Sequence, residues 1–173
     1  MPLAGPELRG ERVVLRAITA ADVAPLAAIF ATPEVGRWWP EETQETMRER
    51  VTEGEPDTTS WAVWDGDDIV GLAQGWEERE PMYRHGGIDL SLHPGWHGRG
   101  LGSDTVRAIA RWLFDERGHH RITIDPAAHN AVAIRCYERV GFRPVGVMRR
   151  YERGPDGTWH DGLLMDLLQG ELR

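Results

Sequence analysis

The stretch that most limits how this chain folds is His93–Ser103, read HPGWHGRGLGS. Before it, Gly87–Leu92 (GIDLSL) alternates as a strand does; after it, Val106, Ile109, Ala110 and Leu113 recur at helical spacing. Gly98, Gly100 and Gly102 remove the Cβ atoms that would block a tight turn or the close approach of a ligand. A turn that opens a helix gathers unpaired backbone N–H groups at the positive end of the helix dipole, and phosphate is the usual occupant of such a site. A plain strand-to-helix turn carries the same glycines, so the loop by itself leaves both readings standing. No Gly-Lys-Ser/Thr is present, which excludes a Walker loop. Asp125 ends the next strand as a dinucleotide unit requires, but the glycine pattern is shifted and the unit lies in the second half of the chain.

The rest of the chain reads as one domain around that turn. Its 173 residues suffice for one sizeable core. No apolar run reaches membrane-spanning length, and MPLAGPELRG lacks the apolar centre of a secretory leader. One cysteine excludes an internal disulfide and suits a reducing cytoplasm. Every basic residue is Arg, and a net charge of −8 has the wrong sign for a nucleic-acid binder. It favours a cationic partner, or serves solubility alone.

Residues 1–10 read as a loose lead-in and 11–173 as the domain. Glu11–Ile18 is strand-like; Thr19 and Asp22 start a helix that holds Pro25 in its first turn and stops before Pro33. Gly36–Pro40 reads as a loop bearing Trp38 and Trp39, and Glu41–Val51 as a polar helix. Ser60–Asp65 and Ile69–Glu78 form a hairpin around Asp65-Gly66-Asp67, and Arg79–His85 a charged loop. Arg121–Asp125 is a strand, and Phe142–Tyr151 and Trp159–Leu168 are two last antiparallel strands. The expected fold class is α+β: a mixed, mostly antiparallel sheet of about seven strands with four helices.

A second motif gives the glycine turn its meaning. Asn130 caps a helix whose Ala133, Tyr137 and Val140 form one stripe; Gly141 ends it and a strand starts at Phe142. The succession H/Q/R-x-x-G-x-G then N-x-x-A-x-x-x-Y-x-x-x-G-F resembles the GCN5-related N-acetyltransferase superfamily over most of the chain. Gly87-Ile88-Asp89, Ile124-Asp125-Pro126, Ala133–Tyr137 and Asp161–Met165 resemble bacterial aminoglycoside 6′-N-acetyltransferases in particular. His97 departs from the pattern, standing where the superfamily usually has Gln or Arg.

The resemblance implies acetyl-CoA as co-substrate and no metal. It implies that the fourth and fifth of the expected strands splay, so that Ser91 and Leu92 pair with the pantetheine arm and the Leu92 N–H serves as oxyanion donor. The turn His97, Gly98, Arg99, Gly100, Leu101, Gly102 and Ser103 would hold the diphosphate, with Asn130 and Ala133 beside it. Tyr137 is implied as proton donor to the leaving thiolate, although a Tyr on an inner helix stripe is equally a core residue. Asp89 shares a strand face with Ser91; it is either a solvated carboxylate or, as the resemblance implies, the group that receives the amine's proton. Trp38 and Trp39 cover the core or wall an acceptor pocket, where a π face suits an ammonium. Asp125 forms a turn before Pro126 or lends charge to that pocket; Asp161 caps a loop or does the same. With Glu77 and Glu78 they are where a polycation's other amines would pair.

Three further signals carry less. Cys136 reads as a small packed residue, His93 and His97 straddle Pro94-Gly95 and imply no metal, and His119-His120 reads as a solvated turn. The activity implied is direct acetyl transfer to the 6′-amine of an aminoglycoside, a resistance-type reaction, by a cytoplasmic monomer or homodimer acting on a small polycation, with no nucleic acid or membrane. An N-terminal or ribosomal-protein alanine acetyltransferase and a non-catalytic acetyl-CoA-binding module are the alternatives.

Overall fold

Strand periodicity organises the chain into one eight-stranded sheet, ordered β1-β2-β3-β4-β5-β6-β8-β7. The computed structural model describes residues 5–39 and 41–173, so the first four residues of the expected lead-in and Pro40 of the expected loop lie outside the described residues. The strands are β1 (Leu8–Arg9), β2 (Val13–Ala17), β3 (Thr58–Asp65), β4 (Asp68–Glu78), β5 (His85–Leu92), β6 (Arg121–Ile124), β7 (Arg143–Arg153) and β8 (Trp159–Leu168). Neighbours are antiparallel except β5 and β6. Eight strands replace the expected seven because the lead-in is not wholly loose: Leu8 and Arg9 pair with Leu15 and Val14.

Five α-helices occur among the described residues: α1 (Val23–Phe30), α2 (Pro33–Gly36), α3 (Gln44–Thr52), α4 (Leu101–Arg111) and α5 (Ala131–Val140). The start of α1 follows its sequence signals, the Asp22 carboxylate accepting from the Thr19 N–H and hydroxyl at 2.8 Å each. The addition is α2, which fills the stretch between the first expected helix and the expected loop and overlaps that loop only at Gly36. A proline at the first helical position lacks only an N–H that has no partner there, so Pro33 ends one helix and begins the next. Asn130 caps α5 by accepting from the Ala133 N–H at 3.2 Å, and Gly141 closes it at a φ of 117°.

Helices cover both faces of the sheet, and alternation along β3 shows how. Trp61 and Val63 join Val106 and Ile109 beneath α4, whereas Ala62 joins Leu26 and Met47 beneath α1 and α3. A buried carboxylate fastens α4 to the start of β2: Asp104 accepts the N–H groups of Glu11, Arg12 and Val13 at 2.8, 2.9 and 3.0 Å. Burial pushes this carboxyl up, but the three donors outweigh burial and hold it below its ordinary value. His119, expected in solvent, is buried instead, with its Nε2 2.8 Å from the Glu77 carboxylate.

The feature that positions the site is where β5 leaves β6. They pair only at Gly86↔Ile122 and Gly87↔Thr123. Beyond Gly87 they diverge, as the resemblance implied for the fourth and fifth expected strands.

Candidate active site

That divergence opens a cleft of about 1070 Å³ between the free half of β5, the N-termini of α4 and α5, and the α2–α3 segment. The His93 N–H bonds the Val70 carbonyl at 2.7 Å, which puts the bonded rungs with β4 at residues 93, 91 and 89. In an antiparallel ladder the intervening residues turn their backbone groups the other way, so Leu90 and Leu92 face the splay. His97 folds back onto this strand, its Nε2 2.9 Å from the Leu92 carbonyl. The Leu92 N–H is left turned to the cleft.

At the far end, α4 begins inside the glycine run. Gly98 and Gly100 have φ of 74° and 79°, the left-handed region, and a Cβ on either would meet nothing within 4 Å. The space over the turn is therefore open to a ligand. Among the described residues no protein acceptor takes the N–H groups of residues 98–103, so they gather unpaired at the helix dipole's positive end, a cradle of the kind that suits an anion. Gly102 acts at the helix contact instead, since a Cβ there would lie 3.2 Å from Cys136 Sγ and its absence lets α4 close on α5. The Ser103 hydroxyl turns to Cys136, 3.3 Å from its Sγ, leaving its N–H for the cradle. Arg99 lies outside the cleft wall, its guanidinium 5.7 Å from the Trp96 ring.

At the near end stands Asp89, paired across the sheet with Gln74 and sharing a face with Ser91, whose buried hydroxyl has no partner among the described residues. Trp76 lies beside it because Gly87 makes room; a Cβ on Gly87 would come within 2.0 Å of the indole. Burial raises the Asp89 carboxyl from 3.8 to about 7, with repulsion from Asp125 and Glu55 adding and Trp76 and Arg50 opposing. Tyr137 is buried on the inner face of α5 and lines the same cleft. Burial and the charges of Cys136, Asp89 and Asp125 push its phenol up, so it stays protonated at neutral pH. Asp125 is likewise raised by burial, against a hydrogen bond that the Tyr151 hydroxyl donates to it at 2.5 Å.

Trp38 and Trp39 divide the parts read for them. Trp39 packs edge-on against Phe30, ring centroids 6.0 Å apart, and covers the α1–α3 core. Trp38 lies between the Arg37 guanidinium at 4.8 Å and the His129 ring at 5.0 Å, and both indoles line the cleft.

Three acidic residues read as candidates for the acceptor pocket lie elsewhere. Glu77 follows Trp76 on β4 and so points to the opposite face, where Arg117 and His119 hold its carboxylate at 2.8 Å each. Glu78 is exposed beyond the cleft and accepts the Glu80 N–H. Asp161 caps a bulge in β7, accepting the Arg150 N–H at 2.7 Å. The acidic wall comes instead from Glu34, Glu41 and Glu42 along the α2–α3 segment and from Glu152 on β7. Trp76 was accessible to sequence reasoning, two residues from Gln74 and opposite a glycine; Tyr151 and Glu152 were not.

A cleft with unpaired helix-end N–H groups at one end and a half-buried carboxyl and a buried phenol at the other suits acyl transfer, in which a long anionic carrier meets a second substrate. The chain belongs to the GNAT acetyltransferase family: the profile described as Acetyltransferase (GNAT) domain matches residues 12–143. It is 32% identical over 166 residues to aminoglycoside N(6′)-acetyltransferase type 1 of Klebsiella pneumoniae, spanning 85% of this chain and 80% of that one. The crystal structure of aminoglycoside acetyltransferase AAC(6′)-Ib in complex with coenzyme A superposes with a TM-score of 0.74 at 27% identity, covering 91% of this chain and 95% of that one. The ribosomal-protein-S5-alanine acetyltransferase of Vibrio fischeri superposes at 0.83 over 98% and 100% of the two chains, and at 20% identity that likeness bears on the fold alone. The family and fold implied by the two sequence motifs are borne out, and the chain is an acetyltransferase. No helix among the described residues is long and apolar enough to cross a membrane.

Proposed function

We propose that this chain transfers acetyl from acetyl-CoA to the 6′-amine of an aminoglycoside by direct attack in a ternary complex. The observation that carries the reading is the place of Asp89, a half-buried carboxyl lining the cleft at the junction of the splayed strand and an acidic, aromatic pocket, where burial raises it to about 7. Similarity to the Klebsiella pneumoniae enzyme supports it. The cradle fits a diphosphate, since its N–H groups converge where two glycines keep the space clear.

When bound, the thioester supplies the activated acetyl group. Asp89 orients the acceptor amine and takes its proton, directly or through one water. The Leu92 N–H donates to the carbonyl oxygen where negative charge develops. Tyr137 holds, at its hydroxyl, the proton that the departing sulfur requires. Asp125 and the outer carboxylates bind the acceptor's other ammonium groups, and Trp38 offers a flat face to a sugar ring.

Free-thiol release from acetyl-CoA, measured across aminoglycosides and alanine-terminated peptides, tests this. Turnover is expected with kanamycin-type acceptors and not with those lacking a 6′-amine. Turnover with peptides alone would overturn it.

A further inference from the structure

We propose that Tyr151 is a positioning residue for the acceptor, turned into the cleft by a backbone bulge so that its hydroxyl holds the Asp125 carboxylate where a second ammonium group docks. The proposal rests on the aminoglycoside reading above. Strands β7 and β8 pair at Met148↔Gly162 and again at Glu152↔His160, so residues 149–151 face the single residue Asp161. In the middle of that bulge Arg150 has a φ of 49°, a conformation a non-glycine residue keeps only under constraint. The constraint is the Asp161 carboxylate on the Arg150 N–H. Gly162 completes the arrangement, because a Cβ there would lie 2.8 Å from the Tyr151 ring.

A bulge re-aims the side chain it carries. Here Tyr151, on the edge strand of the sheet, reaches past β8 to Asp125, just beyond the end of β6, donating from its hydroxyl at 2.5 Å. The segment after β6 is fastened to β8 by two backbone bonds of 2.8 Å, Leu163 N–H to Pro126 O and Ala128 N–H to Asp161 O. Phenol and carboxylate are therefore held on one frame. The hydrogen bond favours the ionised form of Asp125 against its burial, with Asp89, Tyr137 and Glu152 facing the same space. Asp161 thus serves the site through the bulge.

The test is Tyr151→Phe, assayed with kanamycin and with 6-amino-6-deoxyglucose, which carries only the reacting amine. Tyr151 is 47% exposed, so losing its hydroxyl leaves folding intact. The KM for kanamycin is expected to rise roughly tenfold with kcat little changed, and the KM for the single-amine acceptor to stay at its wild-type value. In an Asp125→Asn background the substitution should add nothing, because one residue acts through the other. Additive effects, or wild-type behaviour of Tyr151→Phe, would overturn the proposal. Independently of activity, NMR titration of the Asp125 carboxyl in the free protein should move upward in Tyr151→Phe, and an unmoved titration would also overturn it. A wild-type protein inactive on both acceptors would sink the aminoglycoside reading, while the titration still decides the role of Tyr151.

Discussion

Replacing Asp89 with Asn probes the site through stability as well as turnover. Asn keeps the shape of the side chain but cannot ionise. In the folded chain the carboxyl titrates at about 7, against an ordinary 3.8. A group whose folded value is raised contributes stability that is fully present below the lower value and lost as pH rises through the higher one. The wild type should therefore lose stability relative to Asp89→Asn across that window and hold a constant deficit above it. The interval corresponds to about 4 kcal/mol if nothing screens the charge. Water in the open cleft screens part of it, so about 2 kcal/mol is expected. Urea unfolding of both proteins at about pH 4.5 and about pH 8.5 reads this directly, as a difference in midpoint that is small at the lower pH, just above the ordinary value of 3.8, and grows to roughly 1 M at the higher. Turnover by the variant should fall about 100-fold and lose the limb near pH 7, as expected when a general base is removed. Midpoint differences that stay constant with pH would refute the reasoning, because they would mean the carboxylate is not buried against its charge.

Tyr137→Phe should lower kcat about 100-fold while calorimetric affinity for coenzyme A is unchanged; lost affinity would remove Tyr137 from proton transfer. Gly100→Ala forces a methyl-bearing residue to a φ of 79° and fills the cradle, so weaker coenzyme A binding is expected in the same titration. Gly102→Ala instead presses on Cys136 and should lower Tm with affinity retained; the reverse pattern would contradict the division of labour between these glycines. Asp104→Ala orphans three backbone N–H groups and should cost about 3 kcal/mol near neutral pH by urea unfolding. Because the Asp104 carboxyl titrates low when folded, its contribution is present above its ordinary value and lost as pH falls through the folded one, so the deficit should shrink in acid.

What is legible in the sequence is what depends on local chemistry. The glycine turn, the Asn130 cap, the Gly141 stop and the alternation that puts Asp89 with Ser91 each involve residues within a turn or two of one another. The adjacent pair Glu77-Glu78 reads as an acidic run, yet strand geometry sends the two side chains to opposite faces, and Glu77 goes to Arg117, forty positions away. His119 looks like a turn residue until the same carboxylate draws it into the interior. Tyr151 stands in a segment with regular strand spacing. The extra residues opposite Asp161 become visible only when β7 and β8 are laid side by side, and they decide which way the ring points.

Charge sets the remaining constraint on the proposed reaction. Carboxylates that attract a polycation also stabilise its ammonium form, and an ammonium has no lone pair with which to attack. Adding more acid to the pocket tightens binding and slows chemistry together. Burial offers a way out, since it separates two carboxylate populations that sequence alone treats as alike. Glu34 and Glu41 are exposed at the rim, where they gather the cation and where salt screens them. Asp89, desolvated and repelled by Asp125 and Glu55, titrates near 7 and can take a proton that an ordinary carboxylate at 3.8 would hold only fleetingly. On this reading rising ionic strength should weaken capture of the acceptor far more than the transfer step. A proportional loss of kcat and kcat/KM with added salt would place the steering charges and the base in one population after all.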